Sequence, residues 1–333
     1  MQLKGDVRLG GEWTALQRTK NDALWMLASA ALAAARPLPP RALRLLGRAL
    51  GHIAHALAVH ARSIALANVA RVYPTAAPTT HRALVRRCFA ALGEALGETV
   101  AALGRRRVMP PVPLAGDACD VLAAARSEGR GVVFASAHLG AWERVAAALV
   151  AAGVPLVTVA RESYDPRFSR LYERLRGAHG VGVIWRGAPG AAARILRTLR
   201  AGGVLGVPMD LRSRVRSCSA PFLGHPAPTP IGPALIALRT GSPVVVGTLA
   251  PGATDSPWSS LPCITATRIE TADLDAGKDG VLELTSRINA ELSRRILAFP
   301  EGWVWMHDRW RPEEEYDGYD CMSPAQPAAV ETT

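Results

Sequence analysis

Gly131-Val-Val-Phe-Ala-Ser-Ala-His138-Leu-Gly140-Ala-Trp-Glu143 is the stretch on which the reading of this chain turns. The run from Gly131 to Ser136 is short and uninterrupted by charge, as expected of a strand buried on both faces. Ala141 to Ala152 follows with the composition of a helix. A buried strand leading straight into a helix is the start of a β–α unit of a parallel sheet. Working outward, strands are predicted at Val154–Ala160, Val181–Trp185, Val204–Pro208 and Pro243–Leu249. Helices are predicted at Val121–Glu128, Pro166–Ala178, Ala191–Ala201, Pro230–Thr240 and Gly280–Phe299. The alternation predicts an α/β fold with a largely parallel sheet flanked by helices.

Upstream the pattern is helical only. Asp22 to Ala35 reads as a helix capped by Asn21 or Asp22 and stopped at Pro37. Beyond Leu38-Pro-Pro40 a second helix is predicted from Arg41 to about Ala70, with Arg41, Arg44 and Arg48 on one face and Leu45, Leu46, Leu50 and Ile53 on the other. A basic amphipathic helix beside a short apolar one suits a membrane interface; a surface helix with a solvated arginine face has the same pattern. A further helix opens at Thr79 or Thr80, and Leu84, Cys88, Leu92 and Leu96 form its core-facing stripe. Arg105 to Arg107 with Pro110, Pro111 and Pro113 then make a joint. The expected organisation is a helical, membrane-interfacial region with a short anchor at 1–113, an α/β core at 114–316, and a tail at 317–333 rich in Pro, Ala, Ser and Thr.

The chain has 333 residues, 49% of them hydrophobic and 20% charged, which excludes disorder for its bulk. The longest N-terminal apolar run, Ala23 to Ala35, rises only about 20 Å as a helix against a hydrocarbon thickness of about 30 Å. This excludes a polytopic membrane protein and leaves a monotopic anchor open. The net charge is +11, and only three of the 39 cationic residues are lysines. Arginine prefers planar anions, so the excess suits anionic lipid surfaces, phosphorylated substrates, acidic carrier proteins or nucleic acid. No aromatic-interleaved basic stripe supports nucleic acid. The five cysteines are scattered and unpaired in spacing, which fits a reducing compartment rather than a disulfide scaffold or zinc site.

Open α/β sheets bind ligands at the carboxyl ends of their strands. His138 stands just past such an end, with Glu143 five residues on. A histidine near neutral pKa can take a proton from a hydroxyl, and a carboxylate on its other nitrogen fixes the tautomer. The plain alternative is a His and a Glu that only help a helix to start. The sequence carries no Gly-x-Ser-x-Gly elbow, phosphate-binding loop, dinucleotide fingerprint or zinc-type histidine spacing. His52, His55 and His60 read as surface or interfacial residues, and His225 as structural.

The His138–Glu143 block resembles the His-x4-Glu motif of the late lipid A biosynthesis acyltransferases, a branch of the lysophospholipid acyltransferase superfamily. Further blocks resemble that family in order: Arg62 to Pro74, Arg161 after the second core strand, Leu205-Gly-Val-Pro-Met-Asp210, Pro221-Phe-Leu-Gly224 with Thr229 and Gly232, and Trp303-Val-Trp-Met-His-Asp-Arg309-Trp-Arg-Pro312. The likeness runs from about residue 40 to 312. Ala141 stands where relatives usually carry Asn, Leu211 where they carry Gln, and the N-terminal apolar helix is shorter.

The resemblance implies transfer of a fatty acyl chain from acyl carrier protein, or from coenzyme A, to a hydroxyl of a lipid A precursor or related glycolipid. His138 would be the general base and Glu143 its orienting carboxylate. Arg161, Asp210, Arg212, Phe222, Gly224, Thr229 and Arg309 would serve substrate binding. Arg161 suits either an oxyanion or a phosphate, and Arg212 and Arg309 suit phosphate. Asp210 suits positioning of Arg161 or the acceptor, or a turn cap. Phe222 suits core packing or an acyl groove. No metal and no cofactor beyond the acyl donor are implied. The expected partners are acyl carrier protein, a lipid acceptor and the membrane, not nucleic acid, at the cytoplasmic face of the inner membrane. Two alternatives stay open: a different lipid acceptor such as a phosphatidylinositol mannoside or glycerol phosphate, and a non-catalytic lipid- or nucleic-acid-binding protein on the same fold.

Overall fold

The computed structural model describes residues 11–103, 112–251 and 262–311. Among the described residues the chain runs through four helices, α1 (Ala15–Ala35), α2 (Pro40–Leu57), α3 (Val59–Val72) and α4 (Pro78–Leu103), before the sheet begins. The first β–α units are α5 (Gly116–Ser127), β1 (Val132–Ser136), α6 (Trp142–Ala151), β2 (Leu156–Ala160), α7 (Pro166–Ala178), β3 (Gly182–Trp185), α8 (Ala191–Arg200) and β4 (Val204–Pro208). The hairpin β5 (Ser217–Phe222) and β6 (His225–Pro230) comes next. The chain closes with α9 (Gly232–Thr240), β7 (Val244–Ala250), β8 (Cys263–Ile269), α10 (Lys278–Ala298) and a 3-10 turn at Pro300–Gly302. The six-stranded sheet has the order β3-β2-β4-β1-β7-β8. All its neighbours are parallel except β7 and β8.

The α/β expectation therefore holds, and the strands named from sequence all form. Two features escaped it. The β5–β6 hairpin is proline-rich, at Pro221, Pro226, Pro228 and Pro230, and forms a separate two-stranded sheet. Strand β8 is the antiparallel edge, and its charged and Thr-rich sequence lacks the apolar run of a central strand.

Two of the N-terminal helices were misplaced. Helix α1 starts at Ala15, not Asp22, because Thr14 and Gln17 form a capping box. Asp22 instead pairs with Arg167 of α7 at 2.8 Å. The single helix expected over 41–70 is broken at Ala58, where α2 and α3 meet at 90°. Neither glycine nor proline marks the break. It is stabilised from the far side, by Arg62 of α3 donating to the His55 and Ala56 carbonyls at the end of α2.

Helix α2 lies against α4 through glycines. A Cβ on Gly47 would stand 2.2 Å from the Gly93 carbonyl oxygen, and one on Gly93 would stand 2.1 Å from that of Gly47. Arg44 and Arg48 reach across to Glu94. The other face of α2 is left uncovered: Leu45, Leu46, Leu50, Ile53 and Leu57 are all exposed. On α4, Leu84 and Cys88 are buried as expected, but Leu96 is exposed. A four-residue spacing advances about 40° per step on a 3.6-residue helix, so three steps carry the stripe about 120° off the core face.

Helices α3 and α4 share one hydrophobic cluster with the sheet, the hairpin and Trp303, through Ala65, Val69, Val85, Cys88 and Phe89. The joint expected at 105–113 falls mostly outside the described residues, and the tail at 317–333 wholly so.

Candidate active site

The site is built by strand register. Strands β1 and β4 are parallel neighbours with Ser136 opposite Pro208. The Met209 amide donates to the Ser136 carbonyl at 2.9 Å, which extends the pairing by one step. The positions two residues past each strand end, 138 and 210, are thereby set side by side. The Asp210 carboxylate accepts a hydrogen bond from His138 Nδ1 at 2.9 Å through Oδ1 and from the His138 amide at 2.8 Å through Oδ2. Trp303 Nε1 donates to the same Oδ2 at 2.9 Å. Asp210 is fully buried, whereas the His138 side chain keeps 26% of its surface exposed.

A carboxylate can only accept, so Nδ1 carries the proton and Nε2 presents its lone pair. Burial pulls the His138 pKa down, but the charge and hydrogen bond of Asp210 outweigh it and leave the imidazole above its ordinary value. Burial likewise pushes Asp210 up, and His138 with the Trp303 and backbone donors brings it below the usual carboxylate range.

The loop carrying His138 is fixed from the opposite end of the chain. Gly140 has φ +61° and its amide donates to the Gly302 carbonyl at 2.8 Å. A Cβ there would meet Leu249 Cδ2 at 2.8 Å, so both the backbone conformation and the close approach select glycine. Leu139 makes a bridge with Trp303. The His138 ring packs edge-on against Trp142, centroids 5.1 Å apart.

Glu143, expected to orient His138, does not bond it. Its two oxygens hold Arg176 of α7, at 3.0 Å to Nε and 2.7 Å to an amino nitrogen. The carboxylate five residues after the histidine thus ties the start of α6 to α7, and the histidine's partner comes from the end of β4. Asp210 neither positions Arg161 nor caps a turn. Its place beside His138 was not read from sequence because the two are 72 residues apart, and only strand order brings them together.

Arg161 lies on the same rim, at the end of β2, about 10 Å from β1 by strand spacing. It is exposed, with its guanidinium 4.7 Å from the Tyr164 ring centre. Arg212 is half-buried in the loop two residues past Asp210.

Three of the remaining expected binding residues are buried in the core, and the fourth, Gly224, lies exposed at a turn. Arg309 is fully buried: it donates to the Pro228 carbonyl and to Thr229 Oγ1, the latter at 2.8 Å. Thr229 is also buried and accepts from Asn289 at 2.9 Å. Phe222 is buried against Trp303 and Trp310 with the Arg309 guanidinium over its ring. Gly224, at φ +80°, turns the hairpin. The phosphate-holding role expected of Arg309 is thus replaced by a structural one, since a guanidinium with no exposed surface cannot meet a ligand.

Trp303 is the site residue that sequence reasoning missed. In the sequence it stands only as one tryptophan of the C-terminal Trp303–Pro312 block, but its indole N–H is a buried donor that needs a partner. The segment bearing it is held by Asn68 of α3, whose amide donates to the Trp305 and His307 carbonyls, each at 2.8 Å.

A histidine whose ring N–H is held by a buried carboxylate stands at the carboxyl rim of a mostly parallel sheet, the place where open α/β sheets bind ligands. Residues 14–312 match the family model of the bacterial lipid A biosynthesis acyltransferases, and the chain belongs to that family. It is accordingly an acyltransferase of the lipid A type. Among curated proteins none matches the chain.

Proposed function

We propose that this protein transfers a fatty acyl chain from a thioester, carried by acyl carrier protein or coenzyme A, to a hydroxyl of a lipid A precursor or related glycolipid. The observation that carries the mechanism is the hydrogen bond from His138 Nδ1 to Asp210, which leaves Nε2 free to act as base. Nε2 removes the proton from the acceptor hydroxyl as its oxygen attacks the thioester carbonyl. The tetrahedral intermediate collapses, the carbon–sulfur bond breaks, and the departing thiolate takes the proton back from the imidazolium. Asp210 stabilises that cation in both steps.

The developing oxyanion needs donors. The amides opening α6, which have no side-chain cap, and Arg161 on the neighbouring rim are suited to it. Glu143 acts as a positioning residue, anchoring α6 through Arg176. Phosphate groups of either substrate suit Arg161 and Arg212.

Membrane attachment at the cytoplasmic face of the inner membrane is supported by the uncovered apolar face of α2. No single helix among the described residues is long and apolar enough to cross a membrane, and α2 with α3, bent by 90°, meets the length and composition only as a pair; the form proposed is α2 laid with its apolar face on the lipid.

The test is a transfer assay. Labelled acyl carrier protein thioester, or acyl-coenzyme A, is supplied with total lipid from the native envelope, and the product is identified by mass spectrometry. A labelled lipid that depends on His138 supports the reading, and equal transfer by His138→Ala defeats it.

A further inference from the structure

We infer that the arginine-rich face formed by α8 and the loops after β3 and β4 is where an acidic, thioester-bearing carrier protein docks. The inference rests on the acyl-transfer reading above and adds to it the surface that receives the donor.

The charge of this chain is unevenly spread. Residues 174–250 hold ten arginines and a single carboxylate, Asp210, and so supply most of the net charge of +11. Asp210 is buried on His138, which leaves the surface of this stretch without an acidic side chain. Arg176 is held by Glu143, and Arg239 lies on α9. Arg186, Arg194, Arg197, Arg200, Arg214 and Arg216 are exposed. Arg194 donates to the Val183 carbonyl at 2.9 Å, so its bond neutralises no charge.

The fold gathers these side chains beside the site. The Arg186 amide donates to the Ala160 carbonyl at 2.8 Å, which sets the end of β3 against that of β2. The Arg186 guanidinium bonds Ser213 Oγ, which stands between Arg212 and Arg214 and three residues past Asp210. The loop that supplies the partner of His138 is therefore also the inner border of the basic face. Helix α8 carries the face away from the rim: it has three arginines and no carboxylate, and its ten residues rise about 15 Å. Glu162, next to Arg161, and Glu173, which accepts from the Trp185 indole at 2.6 Å, mark the acidic margin.

Two features select a protein over other anions. The arginines run from the rim along α8, too far apart to close on one phosphate and matched to carboxylates spaced over a protein surface. The large apolar side chains left exposed lie mainly on α1 and α2, with only Leu196 on α8. A charged face with little apolar surface suits a fast, salt-sensitive and readily reversed encounter rather than insertion into lipid. A carrier that brings a thioester to His138 and then departs is served by such a face within reach of the base.

The experiment compares full-length wild type, Arg186→Glu, Arg197→Glu, Arg214→Glu and the triple variant in His138-dependent transfer from dodecanoyl–acyl carrier protein to envelope lipid. The triple variant is expected to raise KM for the carrier about tenfold or more and to keep kcat within about twofold, with smaller rises for the single changes. Wild-type KM should climb with salt, and that of the triple variant should change little. Carrier protein bearing the arm without an acyl chain should inhibit wild type and not the triple variant. Coenzyme A, which offers a phosphorylated arm and no protein, should inhibit both alike. An unchanged KM overturns the inference, and a loss of anionic-vesicle or nucleic-acid binding beside it gives the face to that partner instead. A fall in kcat alone overturns it too, as does selective inhibition of wild type by coenzyme A, which assigns the arginines to phosphate. If wild type shows no transfer that depends on His138, the parent reading fails and this one with it.

Discussion

Asp210 grips His138 twice, accepting its ring Nδ1 at 2.9 Å and its own backbone amide at 2.8 Å. One buried carboxylate therefore sets both the position of the histidine and its tautomer. Everything chemical in the site depends on the register of β1 against β4.

This grip has a pH signature. In the proposed mechanism His138 must be neutral to act as base, and its pKa is raised, so transfer should climb with pH through an inflection above the ordinary value of about 6.5. Asp210→Asn should move that inflection down, since burial remains and the charge is gone. The stability the pair contributes through His138 is full below about pH 6.5 and is lost as pH rises through the raised value. Through Asp210 it is present above about pH 3.9 and lost as pH falls through the lowered value. Urea unfolding of wild type and Asp210→Asn from pH 5 to 9 should show the gap between them closing at the alkaline end.

The α2–α4 contact tolerates no side chain. Gly47→Ala or Gly93→Ala puts a methyl group within 2.2 Å of a carbonyl oxygen, and the helices must part. Each should cost about 1–3 kcal/mol in denaturant unfolding, whereas Gly116→Ala, which meets nothing within 4 Å, should cost far less.

Arg309 gives a test of structural against ligand-binding roles. Burial pushes its guanidinium down to about 10, so it is still a cation at neutral pH. Arg309→Met strips donors from the Pro228 carbonyl and Thr229, and should cost about 2–4 kcal/mol. Protein that remains folded at low temperature should keep its KM for a phosphorylated acceptor. A raised KM with unchanged stability would return Arg309 to the binding site.

The exposed face of α2 should seat the protein on lipid. Placing a charge at Leu46, Leu50 or Ile53 removes a side chain whose burial is worth about 1.5–3 kcal/mol. Leu50→Glu should weaken binding to anionic vesicles about tenfold or more in a sedimentation assay. Undiminished sedimentation would remove this face from the account.

The five parallel strands were legible because they are short, mostly apolar runs separated by helices of about ten residues, whereas β8 carries no such run. The β5–β6 hairpin was not, because its prolines speak against strands and are tolerated only in a two-stranded ribbon at the margin. His138 was legible from its place after a strand. Its partner was not, since Glu143 is near in sequence but turned to Arg176, while Asp210 is distant in sequence and adjacent in register. The bend at Ala58 depends on Arg62 reaching back, and the C-terminal segment's role depends on Asn68. Both are tertiary contacts with no local periodicity to reveal them.

The central claim is that His138 and Asp210 act as one unit in acyl transfer. The most direct measurement is single-turnover transfer from labelled acyl carrier protein to envelope lipid by wild type, His138→Ala, Asp210→Asn, the double variant of these two, and Glu143→Gln. Each single change at His138 or Asp210 is expected to cost about 10²–10⁴-fold, and the double variant to be little worse than either. Full activity in Asp210→Asn, with loss confined to His138→Ala and Glu143→Gln, would contradict it and return the orienting role to Glu143.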